Sequence, residues 1–144
     1  MYTVKDILNE KGQDCWTVDP ESTVYEALKK MAGKNVGALL VVKDDEVIGM
    51  FSERDYARKL VLKGKSSKDT KVGEMMSDRI YTVTPTSTTS ECMQLMTDHR
   101  VRHLPVLDEG ELVGVVSIGD IVNKIIQDQD KTIQQLGDYI SGKR

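Results

Sequence analysis

The sequence predicts an α+β protein made of two tandem β-α-β-β-α repeats. Three observations support this prediction: an ungapped internal repeat, the same order of strand-like and helix-like patterns in both halves, and a composition that suits a packed core. Apolar residues make up 39% and charged residues 30% of the 144 positions, which is typical of a globular chain and not of a disordered one. A chain of this length can form a core without disulfides or metals.

The internal repeat relates residues 17–60 to residues 82–125 at a constant offset of 65. Chance agreement does not persist over a stretch of this length, so the two halves are expected to fold alike and to pack together about a pseudo-two-fold axis. The matched positions are Thr17, Val18, Pro20, Ser22, Thr23, Glu26, Met31, Val36, Leu39, Val41, Gly49, Ser52 and Asp55 in the first half, and Thr82, Val83, Pro85, Ser87, Thr88, Glu91, Met96, Val101, Leu104, Val106, Gly114, Ser117 and Asp120 in the second.

Each repeat begins with a short predicted strand followed by a capped helix. The strands are residues 15–18 and 80–83, and a proline-containing turn stops each of them. The helices begin at Thr23 and Thr88, each followed three residues later by Glu, which is the pattern of a capping box. The apolar residues that recur on one face of these helices are predicted to lie in the core, and they are Ala27, Leu28, Met31, Cys92, Met93 and Met96.

A predicted β-hairpin and a second helix complete each repeat. Two apolar runs joined by an acidic turn indicate the hairpin, and a short helical lead precedes each repeat. The hairpin strands are residues 38–42 with 47–51 and 104–107 with 112–116, the closing helices are 53–62 and 118–127, and the leads are 4–8 and 72–76. The predicted boundaries are 1–68 for the first repeat with its lead helix and linker, 69–127 for the second repeat, and 128–144 for a helical tail.

The tail carries an apolar stripe at helical spacing that continues past the second repeat. The stripe consists of Val122, Ile125, Ile126, Ile133, Leu136 and Ile140. A stripe of this kind has to be buried. It can fold back on the chain's own sheet, pair with another subunit, or dock on a regulated enzyme.

Composition argues against several classes of protein. The net charge of -3 disfavours nucleic-acid binding, and the basic stretch 63–71 is interpreted as a linker. No apolar run approaches the roughly 18 residues of a membrane span, and residues 1–6 lack the features of a secretory signal, so a cytoplasmic location without membrane attachment is predicted. Cys15 and Cys92 lack the spacing of a disulfide framework or zinc site and are interpreted as buried apolar side chains.

The sequence contains no motif that indicates an enzyme. A Walker loop, a Gly-x-Ser-x-Gly elbow and a His-Glu-x-x-His helix are all missing from it. His99 and His103 are four residues apart, but a helix is predicted to end between them, which disfavours a shared metal ion. The chain is therefore predicted to be non-catalytic.

The repeat resembles the CBS domain, named after cystathionine beta-synthase, and the whole resembles a stand-alone CBS domain pair, or Bateman module. The segments that carry the resemblance are Gly49-Met-Phe-Ser52-Glu-Arg-Asp55, Gly114-Val-Val-Ser117-Ile-Gly-Asp120 and Val101-Arg-His-Leu-Pro105-Val106. The resemblance covers nearly the whole chain up to about Gln127. It implies a regulatory module with two clefts for AMP, ATP, NAD or S-adenosylmethionine, no required cofactor, and dimerisation of two modules into a flat disc.

The Ser-x-x-Asp step suits such a ligand because it lies where a strand ends and a helix begins. Free backbone donors and the positive helix end favour phosphate there, and Ser52 and Ser117 can add hydroxyl donors. Asp55 and Asp120 are acceptors suited to the two hydroxyls of a ribose. The alternative is that both steps are capping boxes with no ligand.

Arg102 and His103 stand before the Leu-Pro-Val strand, where the family resemblance implies phosphate contacts. Their alternative role is that of polar residues at a strand entrance. The first repeat departs from this pattern with Gly37 and Ala38 at the matching positions. Arg54 and Arg58 beside Asp55 are expected to supply charge in the first repeat, where the second has Gly119 and Asn123, so unequal clefts are predicted.

The interpretation that follows is a sensor that binds an adenine nucleotide such as AMP, ATP or NAD(H) and forms a homodimer, with a regulated protein as a further partner. The alternative is an interaction-only module that dimerises or docks on an enzyme with empty clefts.

Overall fold

The computed structural model describes residues 1–140, which separate into two units. The middle unit is residues 15–80, and the terminal unit combines residues 1–14 with the chain from residue 81 onward. In chain order the elements are α1 (Val4–Lys11), β1 (Thr17–Val18), α2 (Val24–Lys34), β2 (Ala38–Lys43), β3 (Glu46–Ser52), α3 (Glu53–Asp55) with a π-helical continuation (Tyr56–Val61), α4 (Val72–Met75), α5 (Thr89–His99), β4 (His103–Asp108), β5 (Glu111–Ser117) and α6 (Ile118–Ile140).

The predicted α+β class is confirmed, and the element order agrees with the prediction except at the first strand of the second repeat. Both predicted leads are helices, α1 and α4, and both hairpins form. Each lead helix belongs to the unit built by the other repeat, since α1 lies in the terminal unit and α4 in the middle unit. Of the predicted helical tail, residues 128–140 are the continuation of α6 from the second repeat, and residues 141–144 lie outside the described residues.

The strand predicted at residues 80–83, at the start of the second repeat, does not form. In the middle unit β1 pairs in parallel with β2, whereas residues 80–83 contribute only an isolated bridge between Val83 and Val106. The cause is Pro105, which matches Leu40 of the first repeat. The Leu40 amide donates to the Trp16 carbonyl at 3.2 Å, and a proline has no amide hydrogen for the equivalent bond.

Both hairpins close with two-residue turns whose backbone has positive φ. Asp44 and Asp45 have φ values of 51° and 62°, and Glu109 and Gly110 have 51° and 84°. Two consecutive positive φ values match the right-handed twist of the strands. Each hairpin also carries a register shift at the same place, between Val41 and Val42 in one and Val106 and Leu107 in the other.

Each unit has its own hydrophobic core, which confirms the predicted helical stripe. Met31 and Ala27 of α2 pack with Phe51 and Leu39 in the middle unit. In the terminal unit the buried residues are Val4, Ile7, Leu8, Val83, Cys92, Met96, Leu104, Val106, Val116 and Ile121. Burial raises the pKa of Cys92 to about 11, so its thiol is inert at neutral pH. Cys15 is only partly buried.

The repeated glycines Gly49 and Gly114 are explained by the lead helices. A Cβ on Gly114 would lie 2.8 Å from Cδ2 of Leu8, which belongs to α1. A Cβ on Gly49 would lie 2.5 Å from Sδ of Met76 and 2.9 Å from the carbonyl oxygen of Ser77, directly after α4. Glycine therefore lets a lead segment approach the second strand of each hairpin.

Candidate functional site

The first Ser-x-x-Asp step forms a complete capping box at the start of α3. The backbone amide and the hydroxyl of Ser52 both donate to Oδ2 of Asp55 at 3.0 Å, and the Asp55 amide donates to Oγ of Ser52 at 3.1 Å. The strand β3 ends at Ser52, so these bonds orient the carboxylate at the strand-to-helix junction. The Asp55 side chain is 16% exposed.

The second step, between β5 and α6, repeats this arrangement. The Ser117 amide donates to Oδ2 of Asp120 at 2.9 Å, and the Asp120 amide donates to Oγ of Ser117 at 3.2 Å. The Asp120 side chain is 25% exposed. Both steps are therefore capping boxes, in which each carboxylate accepts the backbone amide hydrogen of its serine.

A lysine pairs with each aspartate, but the two lysines come from different places. In the middle unit Lys59, one helical turn after Asp55, lies 3.2 Å from its Oδ1 and also donates to the carbonyl of Met75 at 3.3 Å. In the terminal unit Lys11, at the end of α1, lies 2.8 Å from Oδ2 of Asp120 and donates to the carbonyl of Val115 at 3.1 Å. Sequence reasoning missed both lysines.

Lys124 occupies the position that matches Lys59 but has a different partner. Its ammonium lies 2.7 Å from Oε2 of Glu10 and 4.6 Å from the centre of the Tyr2 ring. The Lys124 side chain is 6% exposed while Glu10 is 63% exposed. Lys124 therefore attaches the N-terminal segment and α1 to α6, and Asp120 is left to Lys11.

Asp120 remains ionised because of this environment. Burial opposes ionisation, but the hydrogen bonds from Lys11 and from the Ser117 amide, with the charge of Lys11, outweigh it and hold the pKa of Asp120 below its ordinary value of 3.8. A carboxylate that is anionic across the physiological range is a permanent acceptor for hydroxyl groups.

His103 lies beside the second cap. It begins β4 and is paired across the hairpin with Ser117. Burial lowers the pKa of His103 below its ordinary value of 6.5, the positive charges of Lys11 and Arg102 add to this lowering, and Asp120 opposes it. His103 is therefore mainly neutral at pH 7, and it shares one polar cluster with Lys11 and Asp120.

The predicted site residues divide between the two units. Ser52, Arg54 and Asp55 lie together in the middle unit, with the Arg54 side chain exposed. Arg102, His103, Ser117 and Asp120 lie together in the terminal unit, where the Arg102 side chain is exposed and its carbonyl accepts a bond from the Ile118 amide at 2.9 Å. The predicted residues thus form two clusters, three in the middle unit and four in the terminal unit, and each cluster contains one capped aspartate.

His99 and His103 lie on different elements, as predicted: α5 ends at His99 and β4 begins at His103. The His99 ring stacks on Tyr81 with centroids 3.8 Å apart. Within residues 1–140 no group of three or more His, Cys, Asp or Glu side chains is arranged to hold a metal ion. None of the helices in that range combines the length and apolar character needed to cross a membrane.

The fold and the capped steps define a class of protein: a tandem β-α-β-β-α module that carries one Ser-x-x-Asp junction in each repeat. The model of the CBS domain family matches this chain twice, over residues 3–62 and 72–127. The chain belongs to the CBS domain family, whose paired domains are regulatory modules.

Similar proteins support this membership. The mitochondrial CBS domain-containing protein CBSX3 of Arabidopsis thaliana is 43% identical over 97% of this chain and 72% of its own length. The CBS domain-containing protein YhcV of Bacillus subtilis is 36% identical over 84% of each chain. The solved structure of a putative signal-transduction protein with CBS domains from Burkholderia ambifaria is 52% identical, with a TM-score of 0.84 over 89% of this chain and 96% of that one.

Proposed function

We propose that this chain is a non-catalytic regulatory module that binds an adenine nucleotide, with AMP, ATP and NAD(H) as the ligands to test first. The observation that carries the proposal is the pair of capped carboxylates, Asp55 and Asp120, each at a strand-to-helix junction beside cationic side chains. Ionised carboxylates suit paired ribose hydroxyls, and cations with helix starts suit phosphate. The module needs no cofactor.

In the proposed binding mode each aspartate accepts hydrogen bonds from ribose hydroxyls. Within the described residues, the hydrogen bonds that Asp120 accepts from Ser117 and Lys11 both fall on Oδ2, so Oδ1 is the oxygen offered to a ribose. Arg102 and His103 contact phosphate in the terminal unit, and Arg54 is the cation proposed for the middle unit. Ser52 and Ser117 hold the aspartates in place.

A neighbour of the same fold indicates which ligand class to examine. The CBS domain pair of protein MJ0100 has been solved in complex with 5′-methylthioadenosine and S-adenosyl-L-methionine, and it is 22% identical to this chain with a TM-score of 0.77. At this identity the likeness concerns the fold. Both ligands contain an adenosine-type ribose, which is the group assigned here to Asp55 and Asp120.

The second candidate is the interaction-only module, which the exposed apolar residues of α6 favour. Ile126, Ile133 and Ile140 are exposed in this chain, and an exposed apolar stripe is typical of a protein interface. A homodimer and a regulated protein are the proposed partners, and neither a nucleic acid nor a membrane is proposed. A cytoplasmic location is proposed, with mitochondria as the alternative because the CBSX3 relative is mitochondrial.

A thermal-shift panel of AMP, ADP, ATP, NAD, NADH and S-adenosylmethionine tests the proposal. A ligand at a hundredfold excess over its dissociation constant stabilises the folded chain by about 2.7 kcal/mol, which raises Tm by several degrees. The matched control is the double variant Asp55→Asn with Asp120→Asn, which keeps side chains of the same size and should lose most of the shift. If Tm does not change with any ligand at millimolar concentration, and the protein carries no co-purified nucleotide, the proposal is wrong and the interaction-only module is favoured.

A further inference from the structure

The second half of α6 extends beyond the core of the terminal unit. Early in the helix Ile121 and Lys124 are buried and Ile125 packs against the core. Later in the helix Ile133, Leu136 and Ile140 are 66%, 57% and 84% exposed. A helix that displays large apolar side chains to solvent over several turns requires a partner for that face.

The spacing of the exposed residues identifies the kind of partner. Ile126, Ile133 and Ile140 recur every seven residues, and so do Val122, Gln129 and Leu136. These two series are the a and d positions of a heptad repeat, with Ile at a and Leu or Val at two of the three d positions. A 3.5-residue period indicates a coiled coil, because a helix lying on its own globular core follows a period of 3.6.

We propose that residues 122–140 of α6 pair with the same segment of a second copy of this chain as a parallel, in-register, two-stranded coiled coil. β-Branched residues at a with Leu at d favour two parallel strands. The proposal deepens the homodimer advanced above by naming its helix, its direction and its register. It does not depend on nucleotide binding.

Gln129, the single polar residue of this seam, distinguishes the parallel arrangement from the antiparallel one. In a parallel in-register pair the two Gln129 side chains face each other, and each amide can donate to and accept from the other. In an antiparallel pair each a residue packs against a d residue of the other helix. Gln129 would then face Ile133, and both Gln129 amides would be buried without a partner. A polar seam residue of this kind specifies register.

The apolar area of the seam sets the expected strength. Five apolar side chains per helix line it, namely Val122, Ile126, Ile133, Leu136 and Ile140. Burial of about 60 to 120 Å² for each of these ten side chains would remove roughly 600 to 1,200 Å² of apolar surface from water over both copies. Stable interfaces bury about 1,200 to 2,000 Å². The coiled coil alone should therefore give a reversible dimer, measurable at micromolar concentrations.

Sedimentation of the full chain tests the interface. Ile133→Asp should weaken dimerisation at least tenfold, because it places a charge in the seam, while Gln135→Asp introduces the same charge on the outer face and should leave the dimer unchanged. Circular dichroism checks that both variants remain folded. A dimer that survives Ile133→Asp would overturn the seam even if the chain is dimeric through another surface.

Cysteine cross-linking tests direction and register. Gln129→Cys should form a covalent homodimer on mild oxidation, because two Cβ atoms in one d layer lie within disulfide reach. Lys131→Cys, on the outer face, and the wild-type chain with its own two cysteines are the controls and should not cross-link. Cross-linking of Gln129→Cys only with Ile133→Cys would overturn the parallel register. Since an AMP titration of Ile133→Asp reports nucleotide binding separately, failure of either proposal is distinguishable from failure of the other.

Discussion

The middle and terminal units build the same capped aspartate and support it with different lysines. In the middle unit Lys59 bonds both Asp55 and the end of α4, so one residue of the closing helix holds the cap and the lead helix together. In the terminal unit two residues divide this role, since Lys11 of α1 pairs with Asp120 while Lys124 of α6 pairs with Glu10. Duplicated repeats thus preserve the acceptor while the cation beside it changes.

This difference follows from the residue that ends each lead segment, which is Lys11 after the first lead and Met76 after the second. Lys11 matches Met76 at the repeat offset, and Met76 is the side chain that covers Gly49. A methionine cannot pair with a carboxylate, so the middle unit depends on a lysine within its own closing helix. The terminal unit gains a cation from α1 and a cluster of Lys11, His103 and Asp120 that has no counterpart at Gly37 and Ala38.

The largest expected effect tests whether the terminal cluster binds phosphate. Arg102→Ala should weaken AMP binding roughly ten- to a hundredfold, because a charge-assisted hydrogen bond contributes about 1.5 to 3 kcal/mol, and it should leave adenosine binding nearly unchanged. Calorimetric titration of both ligands measures this. Arg100→Asn is the matched control, since it removes a nearby charge at a position with φ of 55° that Asn tolerates. Equal losses for AMP and adenosine would mean that Arg102 shapes the strand.

The next effect compares the two glycines that receive the lead segments. Gly49→Ala should destabilise the chain by about 1 to 3 kcal/mol, because its Cβ meets the backbone oxygen of Ser77 as well as Met76. Gly114→Ala should cost less, because its Cβ meets only the end of the Leu8 side chain, which can move. Urea unfolding of the two variants gives the comparison. A larger cost at Gly114 would contradict the assignment of these contacts.

Removal of the Asp120 charge should have a smaller effect that depends on pH. The pKa of Asp120 is lowered in the folded chain, so its ionisation stabilises folding above the ordinary pKa near 3.8, and this stabilisation is lost as pH falls through the folded-state value. Asp120→Asn should therefore cost about 1 kcal/mol at pH 6, the scale of a partly exposed ion pair, and progressively less below pH 4. Thermal melts across this range measure it, and Asp108→Asn on the exposed end of β4 is the control. A cost that does not shrink in acid would implicate the cap geometry alone.

The smallest effect concerns protonation of His103. Burial, Lys11 and Arg102 lower its pKa below the ordinary 6.5, so AMP should bind more tightly as pH falls through this lowered pKa, where the imidazole becomes a cation that donates from both nitrogens. Lys11→Met should move this tightening to higher pH, because it removes a positive charge beside the ring. Titrations of AMP from pH 5.5 to 8 with wild type, Lys11→Met and His103→Ala measure the shift. A wild-type profile that His103→Ala does not flatten would assign the pH dependence elsewhere.

Much of the candidate site was predictable because it is local in sequence. Ser52 with Asp55 and Ser117 with Asp120 are three residues apart at a strand-to-helix change, and that spacing alone predicts a capping box. Lys59 was also accessible to sequence reasoning, since it lies four residues after Asp55 on one helix face. Lys11 was not, because 109 positions separate it from Asp120 and only the packing of α1 brings the two together.

The missing first strand of the second repeat shows that one residue, Pro105, can both match the family pattern and prevent a strand from pairing. Pro105 belongs to the strand that resembles the family pattern, yet its missing amide also removes the bond that extends β1 in the first repeat. The matched residues Thr17 and Thr82 therefore have different secondary structure despite their identical side chains. A repeated side-chain pattern therefore predicts a strand only where the neighbouring strand has backbone amide hydrogens to donate to it.

By itself the sequence determined the repeat, most of the order of elements, the two capped steps and the heptad spacing of α6. The repeat follows from comparing the two halves of the chain, and the other features depend on residues that are close together in sequence. Tertiary structure alone decided that α1 folds with the second repeat and α4 with the first, and hence which lysine pairs with which aspartate. The physical reason is that a short amphipathic lead can cover any hairpin of suitable shape. Which hairpin each lead covers is decided by long-range contacts, such as Leu8 on Gly114 and Met76 on Gly49, and these contacts leave no local pattern in the sequence.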